Sequence, residues 1–135
     1  GGGQAEARIA NLRALNRVSA IVEPVRPDFR SMLYHTKASV SMCGYNTALD
    51  VLQSGSPAVF VPFDDGGETE QTLRARTLAH LDGIEVLSNA ELTPGSLADA
   101  VRASQKAPRR QPMREGMDGG AETVRILTRL REAII

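Results

Sequence analysis

Tryptophan is absent from the 135-residue chain, and aromatic residues of every kind make up only 4%. Platforms of stacked rings for nucleobases are therefore not expected. There is a single cysteine, Cys43, which excludes an intrachain disulfide and a multi-cysteine zinc site and suits a reducing cytoplasm. Neither sign of charge is in excess. With 16 basic and 16 acidic residues the formal net charge is zero, so no long-range field gathers nucleic acid or an anionic membrane. No apolar run approaches the ~20 residues of a membrane-spanning helix, and no secretory signal is visible. A hydrophobic content of 41% fits an ordinary globular domain, long enough for one modest core. A first strand is also missing: Gly1, Gly2 and Gly3 lead straight into a helical pattern. The expectation is a start cut out of a longer protein.

Residues 1–17 read as an N-terminal helix, with Ile9, Leu12 and Leu15 at helical spacing. A core follows over residues 18–104. Val18 to Val25 is a short apolar run suited to a buried parallel strand, ended by Pro24. Asp28 is placed to cap a short helix running to about His35, with Phe29, Met32 and Leu33 inward. Ala38 to Met42 predicts a strand and Tyr45 to Ser54 a helix, stopped at Gly55, which tolerates a left-handed conformation. Ala58 to Phe63 predicts the central strand, Glu68 to about Leu81 a helix, and Ile84 to Leu87 a fourth strand. Thr93 as cap and Pro94 in the first turn start a helix to about Ser104. Residues 105–120 are polar, basic and proline-containing, and predict a surface connection or partial disorder. Residues 121–135 predict an amphipathic helix with Val124, Leu127, Leu130 and Ile134 on one face. Strands alternating with helices call for an α/β fold, a three-layer Rossmann-like parallel sheet with helices on both faces.

In such sheets ligands bind beyond the carboxyl ends of the strands, where two polar loops are expected to open. In the first, Gly44 precedes Tyr45, Asn46 and Thr47 at a helix start. There unpaired N–H groups and the helix dipole favour an anion such as phosphate, and glycine lets the backbone come close to it. The same pattern also fits an ordinary strand-to-helix turn. Asn46 or Thr47 can cap the helix, and Tyr45 can stack on a ring or shield the turn. Asp50, four residues after Asn46, shares a helix face with the turn. It suits the vicinal hydroxyls of a ribose, or a solvated surface position. The second loop, Asp64, Asp65, Gly66, Gly67, Glu68, Thr69, Glu70 and Gln71, fits sugar hydroxyls, a divalent metal, or acids that stabilise the next helix. Arg74 lies one turn further on. It can reach a phosphate, or pair with Glu70. His35 and His80 lack a second histidine at metal-ligand spacing. Cys43 reads as buried packing rather than a nucleophile.

The wording GYNTALDVLQSGSPAVFVPF followed by GGETEQTLRA resembles the glycosyltransferase family 28 C-terminal domain, the donor-binding half of a GT-B glycosyltransferase. That family includes the peptidoglycan N-acetylglucosaminyltransferase. The wording is also especially similar to a bacterial group of predicted glycosyltransferases in that superfamily. The resemblance spans roughly Val18 to Arg102 and is strongest from Ser41 to Ala75. It implies a hexosyl transfer from a nucleotide sugar, a UDP-sugar, to an acceptor hydroxyl. No cofactor or metal is implied. The substrate-binding residues would be Gly44, Tyr45, Asn46, Thr47, Asp50, Gly66, Gly67, Glu70, Gln71 and Arg74, with the Cys43–Thr47 loop against nucleotide and diphosphate, Asp50 on the ribose, and Glu70 and Gln71 on the sugar. Two departures stand out. The family more often has Glu at Asp50, and the peptidoglycan enzyme has Gln-Gln at Glu70 and Gln71. The backbone of Val22 or Val25 would read uracil. The resemblance also implies partners: the nucleotide-sugar donor and an N-terminal domain absent from this chain, carrying the acceptor site and the catalytic residues. The fragment alone would be inactive, cytoplasmic or peripheral to the inner membrane, and prone to associate through its last helix. Alternatives are a non-catalytic nucleotide-binding or regulatory domain, a UDP-sugar 2-epimerase-like fragment, or a metal-dependent phosphohydrolase using Asp64 and Asp65.

Overall fold

The computed structural model of the chain describes residues 2–15, 20–63 and 69–112. The element order is α1 (Gly2–Leu15), α2 (Phe29–Leu33), β1 (Ser39–Ser41), α3 (Tyr45–Ser54), β2 (Ala58–Phe60), α4 (Glu70–Leu78), β3 (Ile84–Val86) and α5 (Pro94–Lys106). The strands form a parallel sheet in the order β1-β2-β3, with Ser41 opposite Phe60 and Phe60 opposite Val86. In a parallel sheet all carboxyl ends lie along one edge, so the loops after β1, β2 and β3 open together.

Alternation along β2 divides the core between two faces. Ala58 and Phe60 join Ala48, Val51 and Leu52 of α3, Ala75 and Leu78 of α4, and Leu33 of α2 in one buried cluster. Val59 is buried too and points to the opposite face, where α5 packs on β2 and β3. The result is an α/β arrangement with a central parallel sheet and helices on both sides, as the periodicity predicts. The punctuation is local. Gly55 takes φ 73° at the C-cap of α3, and Thr93 and Ser96 form a reciprocal capping box with Pro94 in the first turn of α5.

Two expectations need correction. Residues 20–25, the described part of the strand expected over Val18 to Val25, lie outside the sheet; Ile21 is 85% and Val25 99% exposed. Pro24 has no N–H to offer a ladder, and Arg26 bonds both Glu23 (3.1 Å) and Asp28 (2.9 Å), folding the segment into a polar turn. The same contact diverts Asp28 from its expected role. It stands at the N-cap of α2 without a capping hydrogen bond, the helix is only five residues long, and of its expected inward residues Leu33 alone is buried. Asp28 is held below the usual carboxylate range, chiefly by its hydrogen bonds from Arg26.

The polar connection begins at residue 107, two residues later than expected. Helix α5 continues to Lys106, and residues 107–112 are a strap along the amino edge of the sheet. Arg109 donates to the carbonyls of Leu33 (2.6 Å) and Thr36 (2.8 Å), and Arg110 to those of Asp82 (2.7 Å) and Ser56 (2.5 Å). These carbonyls sit where α2 ends and where β2 and β3 begin. Burial first, then the adjacent Arg109 charge, pull the Arg110 guanidinium down to about 10, so it remains a cation at neutral pH. The expected C-terminal helix over residues 121–135 lies outside the described residues. Among the described residues no helix is long and apolar enough to cross a membrane.

Candidate functional site

β1 ends at Ser41 and α3 starts at Tyr45, with Gly44 at its N-cap. Gly44 has φ −66°, open to any residue, and a Cβ built there would meet nothing within 4 Å. Neither backbone strain nor packing within the protein demands glycine here; the space above it is open. The expected capping by Asn46 or Thr47 is not made. Helix α3 has no side-chain cap, and its first internal hydrogen bond runs from Ala48 N–H to Gly44 C=O at 2.9 Å. Among the described residues the N–H groups of Tyr45, Asn46 and Thr47 thus have no acceptor. The next helix is built differently. Thr69 Oγ1 accepts from Thr72 N–H (3.3 Å) and donates to Phe63 C=O (2.7 Å), so α4 begins at Glu70, two residues later than predicted.

One side chain joins the two loops. Gln71 Oε1 accepts from Cys43 N–H at 3.2 Å and from Phe63 N–H at 2.8 Å. The turn at Gly44 and the start of α4 are therefore neighbours on one edge. The carbonyl end of Gln71 is spent on this bridge, leaving its amide N–H groups for other partners. Glu70 beside it is exposed. Gly66 and Gly67, with Asp64, Asp65 and Glu68, lie outside the described residues. Among the described residues no group of three His, Cys, Asp or Glu side chains is arranged to hold a metal.

Arg74 is buried, and the expected pairing with Glu70 is not made. It is only 3% exposed, donates from Nη1 to Cys43 C=O at 2.7 Å, and lies 5.9 Å from the centre of the Tyr45 ring, a cation–π distance. Tyr45 in turn packs against the core cluster. Cys43 is buried, and burial pushes its thiol up to about 11 against an opposing pull from the Arg74 charge. The thiol is neutral at physiological pH, as the packing reading expects.

Asp50 projects from α3 one turn and more beyond Asn46 and Thr47, on their face. It is not a solvated aspartate: its side chain is 17% exposed and Oδ1 accepts from Arg30 Nε at 2.9 Å. Oδ2 has no hydrogen bond among the described residues. Arg30, itself 64% exposed, escaped sequence reading because it comes from a different helix. Asn89 escaped it too. Its Nδ2 donates to Pro62 C=O at 3.2 Å and ties the loop after β3 to the loop after β2. His35 and His80 are both exposed.

Two comparisons with known proteins bear on this geometry. The model of the glycosyltransferase family 28 C-terminal domain matches residues 3–127. Among curated relatives, the UDP-N-acetylglucosamine–N-acetylmuramyl-(pentapeptide) pyrophosphoryl-undecaprenol N-acetylglucosamine transferase of Brucella anthropi is 31% identical over 120 residues, covering 87% of this chain and 32% of the relative. The protein of the same description from Brucella suis biovar 1 is 29% identical over 121 residues, with the same coverage. The chain thus spans about a third of the length of these relatives. No solved structure matches significantly. With a family match over nearly its whole length, paired loops at the carboxyl edge of a parallel sheet and an uncapped helix start between them, the chain belongs to the glycosyltransferase family 28 C-terminal domains.

Proposed function

We propose that this chain is the donor-binding domain of a glycosyltransferase that moves a hexosyl group from a UDP-sugar to an acceptor hydroxyl. The observation that carries the reading is the bridge from Gln71 to Cys43 and Phe63. It holds a loop suited to phosphate beside a loop suited to sugar hydroxyls. The amides of Tyr45, Asn46 and Thr47, at the positive end of α3, receive the diphosphate, and the bare Gly44 backbone lets it approach. Asp50 Oδ2 accepts from a ribose hydroxyl while Arg30 holds the other oxygen. Glu70 and the amide N–H groups of Gln71 bind the sugar, together with Gly66 and Gly67.

In the reaction an acceptor hydroxyl attacks the anomeric carbon as the bond from that carbon to the diphosphate oxygen breaks. The proton leaves to a base on an N-terminal domain, which also binds the acceptor. The diphosphate departs into the amides of the α3 start, where fixed dipoles stabilise the charge that develops. No metal has a role in this scheme. The relatives act on UDP-N-acetylglucosamine by their description. Glu70 in place of an amide allows a different hexose here. The protein would work in the cytoplasm, at or near the inner membrane.

Calorimetric or NMR titration of the chain with UDP, ADP and a panel of UDP-sugars, with magnesium and with EDTA, tests the reading. Selective, EDTA-insensitive binding of UDP with shifts at Gly44, Asp50 and Gln71 is expected. Strict magnesium dependence would point instead to a phosphohydrolase built on Asp64 and Asp65. No response to any nucleotide would favour the non-catalytic alternative and overturn the assignment.

A further inference from the structure

Both backbone polar groups of Cys43 are gripped by α4. Its N–H goes to Gln71 Oε1 and its C=O receives Arg74 Nη1. Gln71 and Arg74 are three residues apart on one helix face. The peptide that leads into Gly44 is therefore held from beneath by two side chains of the neighbouring loop's helix. The Arg74 end of this grip is unusual for a buried guanidinium. It is 97% shielded from solvent by the complement of its 3% exposure, its Nε has no acceptor, and no carboxylate pairs with it among the described residues. Buried charges are ordinarily paired. This one has a carbonyl and an aromatic face, and the carbonyl it holds belongs to the residue just before the uncapped Gly44 start of α3. Two sources of positive potential thus converge on the turn, and no side-chain anion among the described residues answers them there.

Resting on the donor-site reading above, we propose that Arg74 is a positioning residue for the diphosphate: it clamps the Cys43 peptide so that the amides of residues 45–47 face the ligand, and it supplies from beneath a charge that the diphosphate neutralises without touching it. The observed partner of the guanidinium is the Cys43 carbonyl, so the role proposed is positioning rather than direct contact with phosphate. Among the described residues no carboxylate pairs with Arg74, and the diphosphate brings an anion to that charge.

The test compares Arg74→Met, which removes clamp and charge, with Arg74→Lys, which keeps the charge, in the 135-residue chain; Arg74→Gln replaces the methionine variant should that one fail to fold. Hydrogen exchange without ligand reads the clamp. In Arg74→Met the amides of residues 43–47 should exchange about fivefold faster or more while β2 is unchanged. Titrations with UDP and with uridine read the charge. UDP should weaken about tenfold and uridine less than about twofold, with Arg74→Lys recovering most of the UDP affinity. Equal losses of UDP and uridine affinity, unchanged UDP affinity in Arg74→Met, or an Arg74→Lys no better than Arg74→Met would overturn the proposal. A wild-type chain that binds no UDP would sink the donor reading instead. The exchange rates would then decide the clamp by themselves.

Discussion

Asp50 shows how much a single side chain's surroundings decide. On the sequence it is an acid on a helix face; in the fold one oxygen is bonded to Arg30 and the other is left over. Asp50→Ala should weaken UDP binding by about 1.5–3 kcal/mol, the worth of a hydrogen bond to a charged group. It should cost under about 1 kcal/mol of stability, because the Arg30 side of the pair is in solvent; unchanged UDP affinity would remove the ribose role. Gly44→Ala separates ligand from fold in the same way. The backbone there is ordinary and the space empty, so the variant should melt within a degree or two of wild type, a change of about 0.5 kcal/mol or less, yet bind UDP poorly where the added methyl meets the diphosphate. Cys43 gives a pH signature. Its folded thiol titrates near 11, above its unfolded value of 9.0. The folded state therefore keeps a proton that the unfolded chain gives up, and stability is full below pH 9.0 and falls as pH rises toward 11. Denaturation midpoints followed between those values should drop for wild type and drop less for Cys43→Ala.

The helices differ in what stops and starts them. Helix α3 begins bare and ends on Gly55, whereas α4 and α5 begin on threonine caps. Under the proposed function the open start of α3 receives the diphosphate, whereas α4 and α5 are closed by their own side chains. Gly55 is doubly constrained. Its φ of 73° penalises any Cβ, and a Cβ there would run into the carbonyl of Arg110 on the strap. Gly55→Ala should destabilise the domain by about 1–2 kcal/mol from the left-handed conformation alone, and by more once the strap is pushed aside. Urea denaturation measures it, and a neutral result would mean that the strap does not lie against this turn.

Across the whole molecule the two edges of the sheet do different work. The carboxyl edge carries loops tied to one another through Gln71 and Asn89. The amino edge is closed by the strap, whose Arg109 and Arg110 satisfy carbonyls at the end of α2 and before β2 and β3. Cations at helix carboxyl ends are favoured by the dipole. Arg109→Ala should cost about 1–2 kcal/mol, since water replaces part of what the guanidinium gave. Its effect on UDP affinity should be small, because the strap is on the far edge from the site. Thermal melting together with a UDP titration tests both halves of this expectation.

Local chemistry was legible in the residue order. The bounds of α3, the left-handed stop at Gly55, the Thr93–Pro94 start, the central strand and the carboxyl-edge loops all depend on neighbours within a turn or two, and the family wording sits in the same contiguous stretch. What the order of residues could not disclose is where long side chains end. Gln71 bonds a residue 28 positions away, Arg74 one 31 away, and Arg109 one 76 away; each was read as a surface or ligand-facing group. The strand expected at residues 18–25 failed for the complementary reason, as apolar content in its described residues was outweighed by Pro24 and the ion pairs around Arg26. Periodicity and caps decide which segments form, because they act within a few residues. Only the folded sheet decides which loops meet and which charge is left without a partner, because those depend on segments brought together from across the chain.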